Sequence, residues 1–258
     1  ILATPAQAIH SSIAALALEA GVSEPTVNRF CRSLETRGFP DFKLHLAQSL
    51  AHGTLYVNRN VDEDDSVESY TGKIFESAMA SLDQVHHSLD MSAINRAVDL
   101  LTQAKKIAFF GLGSSAAVAH DAMNKFFRFN VPVIYSDDIV LQRMSCMNCN
   151  DDDVVVIISH TGRTKSLVEL AQLARENDAM VIAITSPGTP LSRESTLAIT
   201  LDVPEDTDIY MPMVSRLAQL TVIDVLATGF TLRRGAKFRD NLKRVKEALK
   251  ESRFDKEL

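Results

Sequence analysis

The sequence has no tryptophan, three cysteines, and no proline-rich or glycine-rich tract in its 258 residues. Cys31, Cys146 and Cys149 are too few for a disulfide scaffold and fit reduced thiols in a cytoplasmic protein. The pair in CMNC, residues 146–149, has CxxC spacing, but no second Cys or His pair follows at zinc-ligand distance, so neither a metal nor a cofactor is expected. No apolar run reaches the roughly 18–20 residues of a membrane span and no charged-then-apolar leader opens the chain, which excludes the membrane as an expected partner. A net charge of −6 argues against nonspecific coating of nucleic acid, while leaving room for a small basic surface. The chain opens in mid-pattern on ILATPAQAI, without methionine, so a preceding helix is expected to be missing.

What is present divides in two. Residues 12–51 read as short helices, SIAALALEAG, SEPTVNRFCRSLE and DFKLHLAQSLA, broken by Gly21 and by Gly38 with Pro40; Ser23 and Asp41 stand where N-caps are expected. HGTLYVNRNVDEDDS, residues 52–66, is polar and acidic and reads as a linker, leaving 67–258 as the second domain. That domain opens with Tyr70, Ile74, Phe75, Met79, Leu82 and Val85 at three- and four-residue spacing, one long amphipathic helix. Ser92 is placed to cap the next helix, AINRAVDLLTQA. Beyond Lys106, apolar runs rich in Val and Ile (IAFFGLGSS, VPVIYSD, DVVVIISHTG, MVIAITS, LAITLDV) alternate with helical patterns. Strands of that kind belong to a parallel sheet covered on both faces, so the second domain is α/β. MVSRLAQLTVIDVLATGFTL is apolar almost all round and should be buried against the sheet, a partner subunit or both; the tail from Ala236 is basic and amphipathic.

In the first domain Ala17, Gly21 and Val22 fit a helix-turn-helix: a small residue where the helices approach, a glycine for the turn, an apolar residue after it. Leu16, Ala20, Val27 and Phe30 complete the expected buried face. Outward positions of the second helix include Ser23, Thr26, Asn28, Arg29 and Arg32, with Lys43 beyond; Asn and Arg can pair with base edges, and Lys with phosphates. Over residues 1–52 four cations (Arg29, Arg32, Arg37, Lys43) balance four anions (Glu19, Glu24, Glu35, Asp41). A neutral reader of this kind should bind operator DNA as a dimer, with little nonspecific affinity. The competing reading is a three-helix module that touches only protein.

In the second domain GLGSS, residues 111–115, ends a strand and opens a helix, as a phosphate-binding turn would. The acidic residue of a dinucleotide fingerprint is replaced by SDD, 136–138, in another context. SHTGRT, 159–164, repeats the strand-to-helix arrangement with hydroxyls around Gly162. Two such loops at the carboxyl ends of parallel strands define one crevice.

GLGSS followed about 45 residues later by SHTGRT resembles the SIS domain, the sugar-isomerase fold that binds phosphosugars. A helix-turn-helix ahead of it resembles the RpiR family of bacterial transcriptional regulators, and the resemblance covers essentially the whole chain. The runs SSAAVAHDAMNKFFRFNVPVIYSDD and ISHTGRTKS are most similar to that family's hexose-metabolism regulators, which implies 2-keto-3-deoxy-6-phosphogluconate as effector. It also implies that Ser115 and Ser159 contact the effector, with Ser114, Thr161 and Thr164 completing a phosphate cradle around Gly162.

SIS enzymes need a base over the substrate, and many carry glutamate where this chain has Arg163. A cation cannot abstract a proton but can pair with the carboxylate of a phosphorylated keto-acid. Glu169 lies a helical turn further on; His120 and His160 have no carboxylate partner that the sequence locates, and His160 should face away from Ser159 by strand alternation. The expectation is a non-enzymatic, homodimeric or homotetrameric repressor; the alternative is a phosphosugar isomerase or lyase with an accessory helical domain.

Overall fold

The computed structural model describes residues 1, 8, 11–34, 36–51, 61–62, 64–205, 207 and 211–248. The chain divides into two compact units that change over between Glu76 and Ser77.

The first unit holds α1 (Ile13–Glu19), α2 (Glu24–Ser33), α3 (Phe39–Ala51) and the start of α4 (Val67–Ser88). The α1–α2 turn is built as its composition requires: Gly21 takes φ 64, and the Val22 amide closes the turn on the Ala17 carbonyl at 2.9 Å. Leu16, Ala17, Val27, Cys31, Phe39 and Phe42 form the core. The expected face is corrected at three positions: Ala20 is exposed, as are Val22 (43%) and Phe30 (46%), because the inward row of α2 runs i to i+4 from Val27 to Cys31. Asp41 is not an N-cap. The helix starts two residues earlier, Pro40 sits harmlessly in its first turn, and the Asp41 carboxylate accepts the Arg37 amide at 2.8 Å.

Of the expected linker, 52–60 and Glu63 lie outside the described residues. Asp62 and Asp65 are tied to the body of α4 through Lys73 Nζ, at 2.9 and 2.6 Å, and hydrogen bonds to Asp65 from Lys73 first, then from the Ser69 hydroxyl and the Asp62 amide, hold its carboxyl down at about 2. The long helix exists, but Tyr70, Phe75 and Met79 are exposed and only Ser81 and Val85 are buried, so its predicted stripe is not a core face along its length.

The second unit continues with α5 (Met91–Gln103), β1 (Lys106–Gly111), α6 (Ser114–Phe126), β2 (Val133–Ser136), α7 (Ile139–Met147), β3 (Asp153–Ser159), α8 (Lys165–Glu176), β4 (Met180–Thr185), α9 (Pro190–Arg193), β5 (Leu197–Thr200) and α10 (Val214–Ala248), the last broken at Gly235. Asp90, not Ser92, caps α5: its carboxylate accepts both the Ser92 amide and hydroxyl. The five strands are all parallel, in the order β2-β1-β3-β4-β5.

Alternation along the strands assigns the two faces. Ile107, Phe109, Val154, Val156, Ile158, Ile182 and Ile184 pack with α5, α6 and α10 around Phe126 and Phe230. Ala108, Phe110, Val155, Ile157, Val181 and Ala183 pack with α7, α8 and α9. The result is a sheet between two helical layers, which is why β3 is buried at every residue and its sequence is an unbroken apolar run. The apolar helix after Pro212 keeps Leu217, Val225 and Leu232 exposed while Ala218, Val222, Ile223, Leu226 and Phe230 fill the core.

Candidate functional site

Strand order places the second unit's site. β1 pairs with β2 on one side and β3 on the other, so the helices that follow β1 and β3 leave toward opposite faces: α6 joins the core containing Phe126, α8 the core containing Leu170. A crevice opens between such diverging connections at the carboxyl ends of the strands. GLGSS and SHTGRT are those two connections, brought together by the register Gly111 to Ile158.

Ser115 and Ser159 are buried; Ser114 and Thr161 are half-buried; Arg163, Thr164 and Lys165 are exposed at the start of α8. Gly162 is buried at φ 56, and a Cβ there would strike the hydroxyls of Thr185 and Thr189 at 2.5 and 2.4 Å, so no other residue fits the turn. The same loop is fastened from β4 and α9: the Ser186 amide donates to His160 O (2.9 Å) and the Leu191 amide to Gly162 O (3.1 Å). Thr185 and Thr189, which brace the loop, carried no sequence signal beyond an ordinary strand end.

Neither helix that opens on this crevice is capped. Gly113 and Thr164 are the N-cap residues of α6 and α8, neither makes a side-chain cap hydrogen bond, and neither first turn holds an acid. The other helices of the unit are each closed by a side chain. Asp90 closes α5, Asp138 closes α7 through the Val140 and Leu141 amides, and Thr189 closes α9 through the Ser192 amide. At α10 the Glu205 carboxylate accepts the amides of Met213, Val214 and Ser215 and the Ser215 hydroxyl. Burial pushes the Glu205 carboxyl up, but these bonds outweigh it and hold it below the ordinary carboxylate range. Two uncapped helix starts, with serine and threonine hydroxyls and the cations Arg163 and Lys165 beside them, gather hydrogen-bond donors and positive charge of the kind that can hold an anion.

The groups an enzyme would recruit are not gathered over it. His160 points to the opposite side of β3 from Ser159, its Nε2 lying 3.3 Å from Glu205 O. Glu169 is exposed and paired with Arg143 at 3.5 Å. His120 is exposed, its ring 4.9 Å from that of Tyr135. The CMNC thiols close no metal site among the described residues. Cys146 is buried at the end of α7, where burial pushes its thiol up to about 12, and Cys149 is also raised by burial.

In the first unit, Ser23, Thr26, Arg29 and Arg32 recur every three residues along α2. Ser23 Oγ and Thr26 Oγ1 are 2.9 Å apart, and Arg29 Nη2 donates to Thr26 Oγ1 at 3.2 Å. Thr26 is half-buried and Ser23, Arg29 and Arg32 are exposed; the Ser23 side chain leaves the α2 amides uncapped. Two other predicted contacts are half-buried and bonded within the unit: Asn28 Oδ1 accepts the Phe39 amide at 3.0 Å, and Lys43 Nζ donates to Ser11 O at 3.0 Å while lying 5.7 Å from the Phe39 ring centre.

A helix-turn-helix unit and a parallel α/β unit with a crevice at its switch point are the parts of a DNA-binding regulator. The helix-turn-helix domain of the rpiR family matches residues 1–53 and the SIS domain matches residues 100–229. The chain is 91% identical over all its 258 residues to the HTH-type transcriptional regulator HexR of Escherichia coli, covering 89% of that protein. It is 57% identical over 98% of its length to HexR of Pseudomonas aeruginosa, again covering 89% of it. The chain therefore belongs to the RpiR family of helix-turn-helix transcriptional regulators with a SIS domain. The Vibrio vulnificus NanR protein complexed with ManNAc-6P is similar over 99% of this chain and 91% of its own, at 25% identity and a TM-score of 0.68. Among the described residues no helix is long and apolar enough to cross a membrane.

Proposed function

We propose that this regulator is a cytoplasmic repressor of sugar-catabolism genes whose operator binding is released by a phosphosugar acid, 2-keto-3-deoxy-6-phosphogluconate. Residues 1–51 form the DNA-binding segment, 52–66 the linker and 67–258 the sensing segment. The observation that carries the reading is the pair of uncapped helix starts at Gly113 and Thr164 on one crevice: a phosphate satisfies both sets of amides, with Ser114, Ser115, Ser159, Thr161 and Thr164 supplying hydroxyls. Arg163 and Lys165 suit the carboxylate at the other end of the ligand. NanR's complex with ManNAc-6P supports a phosphosugar as the ligand class.

Arg29 and Arg32, neighbours one turn apart, face the operator as base and phosphate contacts, with Ser23 and Thr26 at the start of the helix and Lys43 and Asn28 supporting the fold beneath. One such helix reads one half-site, so the working unit is a homodimer or homotetramer. Exposed Val140, Leu141, Met144 and Met147 on α7 are suited to self-association. The protein is a sensor rather than an isomerase because His160 and Glu169 are engaged away from the crevice. A mobility-shift assay on sugar-catabolism promoters tests this: 2-keto-3-deoxy-6-phosphogluconate should release the bound fragment while inorganic phosphate at equal concentration does not. Retention at saturating ligand, or turnover of an aldose or ketose phosphate, overturns it.

A further inference from the structure

Gln142 is fully buried on α7, on the face of the sheet that also carries Ser159. Its Nε2 donates to two strand-end carbonyls, Ser136 O of β2 at 2.7 Å and, more weakly, Gly111 O of β1 at 3.4 Å. Two acceptors on one side of the amide fix its orientation, since a flipped amide would set its oxygen against both carbonyls. The oxygen is then left over: Gln142 Oε1 is buried and has no hydrogen-bond partner among the described residues. Buried carbonyl oxygens of this kind are nearly always satisfied, and one that is not calls for a donor, whether a ligand or a bound water. Gly111 is both the last residue of β1 and the first of GLGSS, so the Gln142 amide lies at the root of that loop. Every other polar side chain so far assigned to the crevice is a hydroxyl or a cation, suited to an anion. An amide oxygen that cannot donate is suited to a ligand O–H.

We propose that Gln142 is a specificity-determining residue of the crevice, its Oε1 accepting a hydrogen bond from a hydroxyl on the carbon chain of the phosphosugar while Nε2 holds the ends of β1 and β2. This rests on the phosphosugar reading above and adds to it. The phosphate loops recognise an anion of any kind, and Gln142 makes the site ask for a hydroxylated one. A site built around such an acceptor discriminates strongly, because a ligand without the hydroxyl leaves the oxygen buried and unpaired.

The test is calorimetric titration of the full chain with 2-keto-3-deoxy-6-phosphogluconate and, separately, with inorganic phosphate, in the wild type and in Gln142→Met, which keeps length and volume without the amide. The expected result is a loss of about tenfold or more in affinity for the sugar acid and less than about twofold for phosphate. Parallel losses for both overturn the proposal in favour of a strut under the loop. No loss for either overturns it in favour of a buried water joining Oε1 to the likewise unpartnered Ser145 hydroxyl one turn on. If the variant does not fold, the wild-type side-chain amide resonance of Gln142 decides: it should shift with the sugar acid and stay in place with phosphate, and a resonance indifferent to the sugar acid overturns the proposal. A wild type that binds neither probe removes the phosphosugar reading itself, an outcome distinct from the others.

Discussion

The six helices that surround the sheet from α5 onward fall into two groups according to whether a side chain closes their first amides. α5, α7, α9 and α10 are closed by Asp90, Asp138, Thr189 and Glu205, whereas α6 and α8 begin at Gly113 and Thr164 with no side chain across their amides. A cap contributes about 0.5–2 kcal/mol to a helix, so its omission at two neighbouring positions is a stability the fold does without. Both omissions fall at the switch point of the strand order, where an anion can take the place of the missing cap. The contrast sets closed helix ends against open ones, and the proposal that the open pair serves binding can be broken from either side.

The largest effect should come from converting one kind into the other. Thr164→Asp places a capping carboxylate on α8, which should lower affinity for 2-keto-3-deoxy-6-phosphogluconate by about 100-fold or more while leaving the melting temperature unchanged or higher; calorimetry and thermal denaturation on the same protein check both halves. Ser159→Ala removes a buried hydroxyl from the crevice, and release of the operator by the sugar acid should need at least about tenfold more ligand with unliganded operator binding unaltered. The first unit offers the parallel case, since α2 also begins uncapped. Arg29→Ala should weaken operator binding about tenfold in mobility shifts without any ligand, and should reduce its salt dependence if the arginine reaches a phosphate.

The capped group predicts smaller changes, in stability alone. Glu205→Gln keeps the shape of the α10 cap but loses its charge and should cost about 1–2 kcal/mol at neutral pH. The folded carboxyl is held below its unfolded value, so its contribution is complete above an unfolded pKa of about 4.3 and disappears as pH falls through the lower folded value. Melting curves of wild type and variant should therefore converge only in acid below about pH 4. Asn28→Ala, which strips the Phe39 amide of its acceptor, should cost roughly 1 kcal/mol in the first unit, read as lost protection of α3 amides in hydrogen exchange.

Much of this was legible beforehand. The alternation of apolar strands with helices identified the parallel sheet, and glycine and hydroxyl spacing identified both crevice loops, because strand-to-helix turns that approach an anion are restricted to few residue types. Reading failed wherever identity depended on direction. Phe30 and Val22 are apolar yet exposed, and Asn28 and Lys43 are polar yet turned into the bundle, since a helix's inward row is set by the angle of its neighbours. Gln142 shows the same limit: one amide among the apolar residues of IVLQRMSCM gives no sign that it will be fully buried against two strand ends.

By itself, then, the order of residues determined a helix-turn-helix, an α/β sheet and the strand-to-helix loops that end β1 and β3, all of which follow from local periodicity and turn chemistry. Only the tertiary structure decided that β1 and β3 are neighbours with helices diverging to opposite faces, that four helix starts are closed and two are left open, and that Glu205 and Gln142 carry a cap and a buried acceptor. Those facts depend on which segments meet across the sheet, and strand pairing between distant segments is set by packing of the whole domain rather than by any one stretch of it.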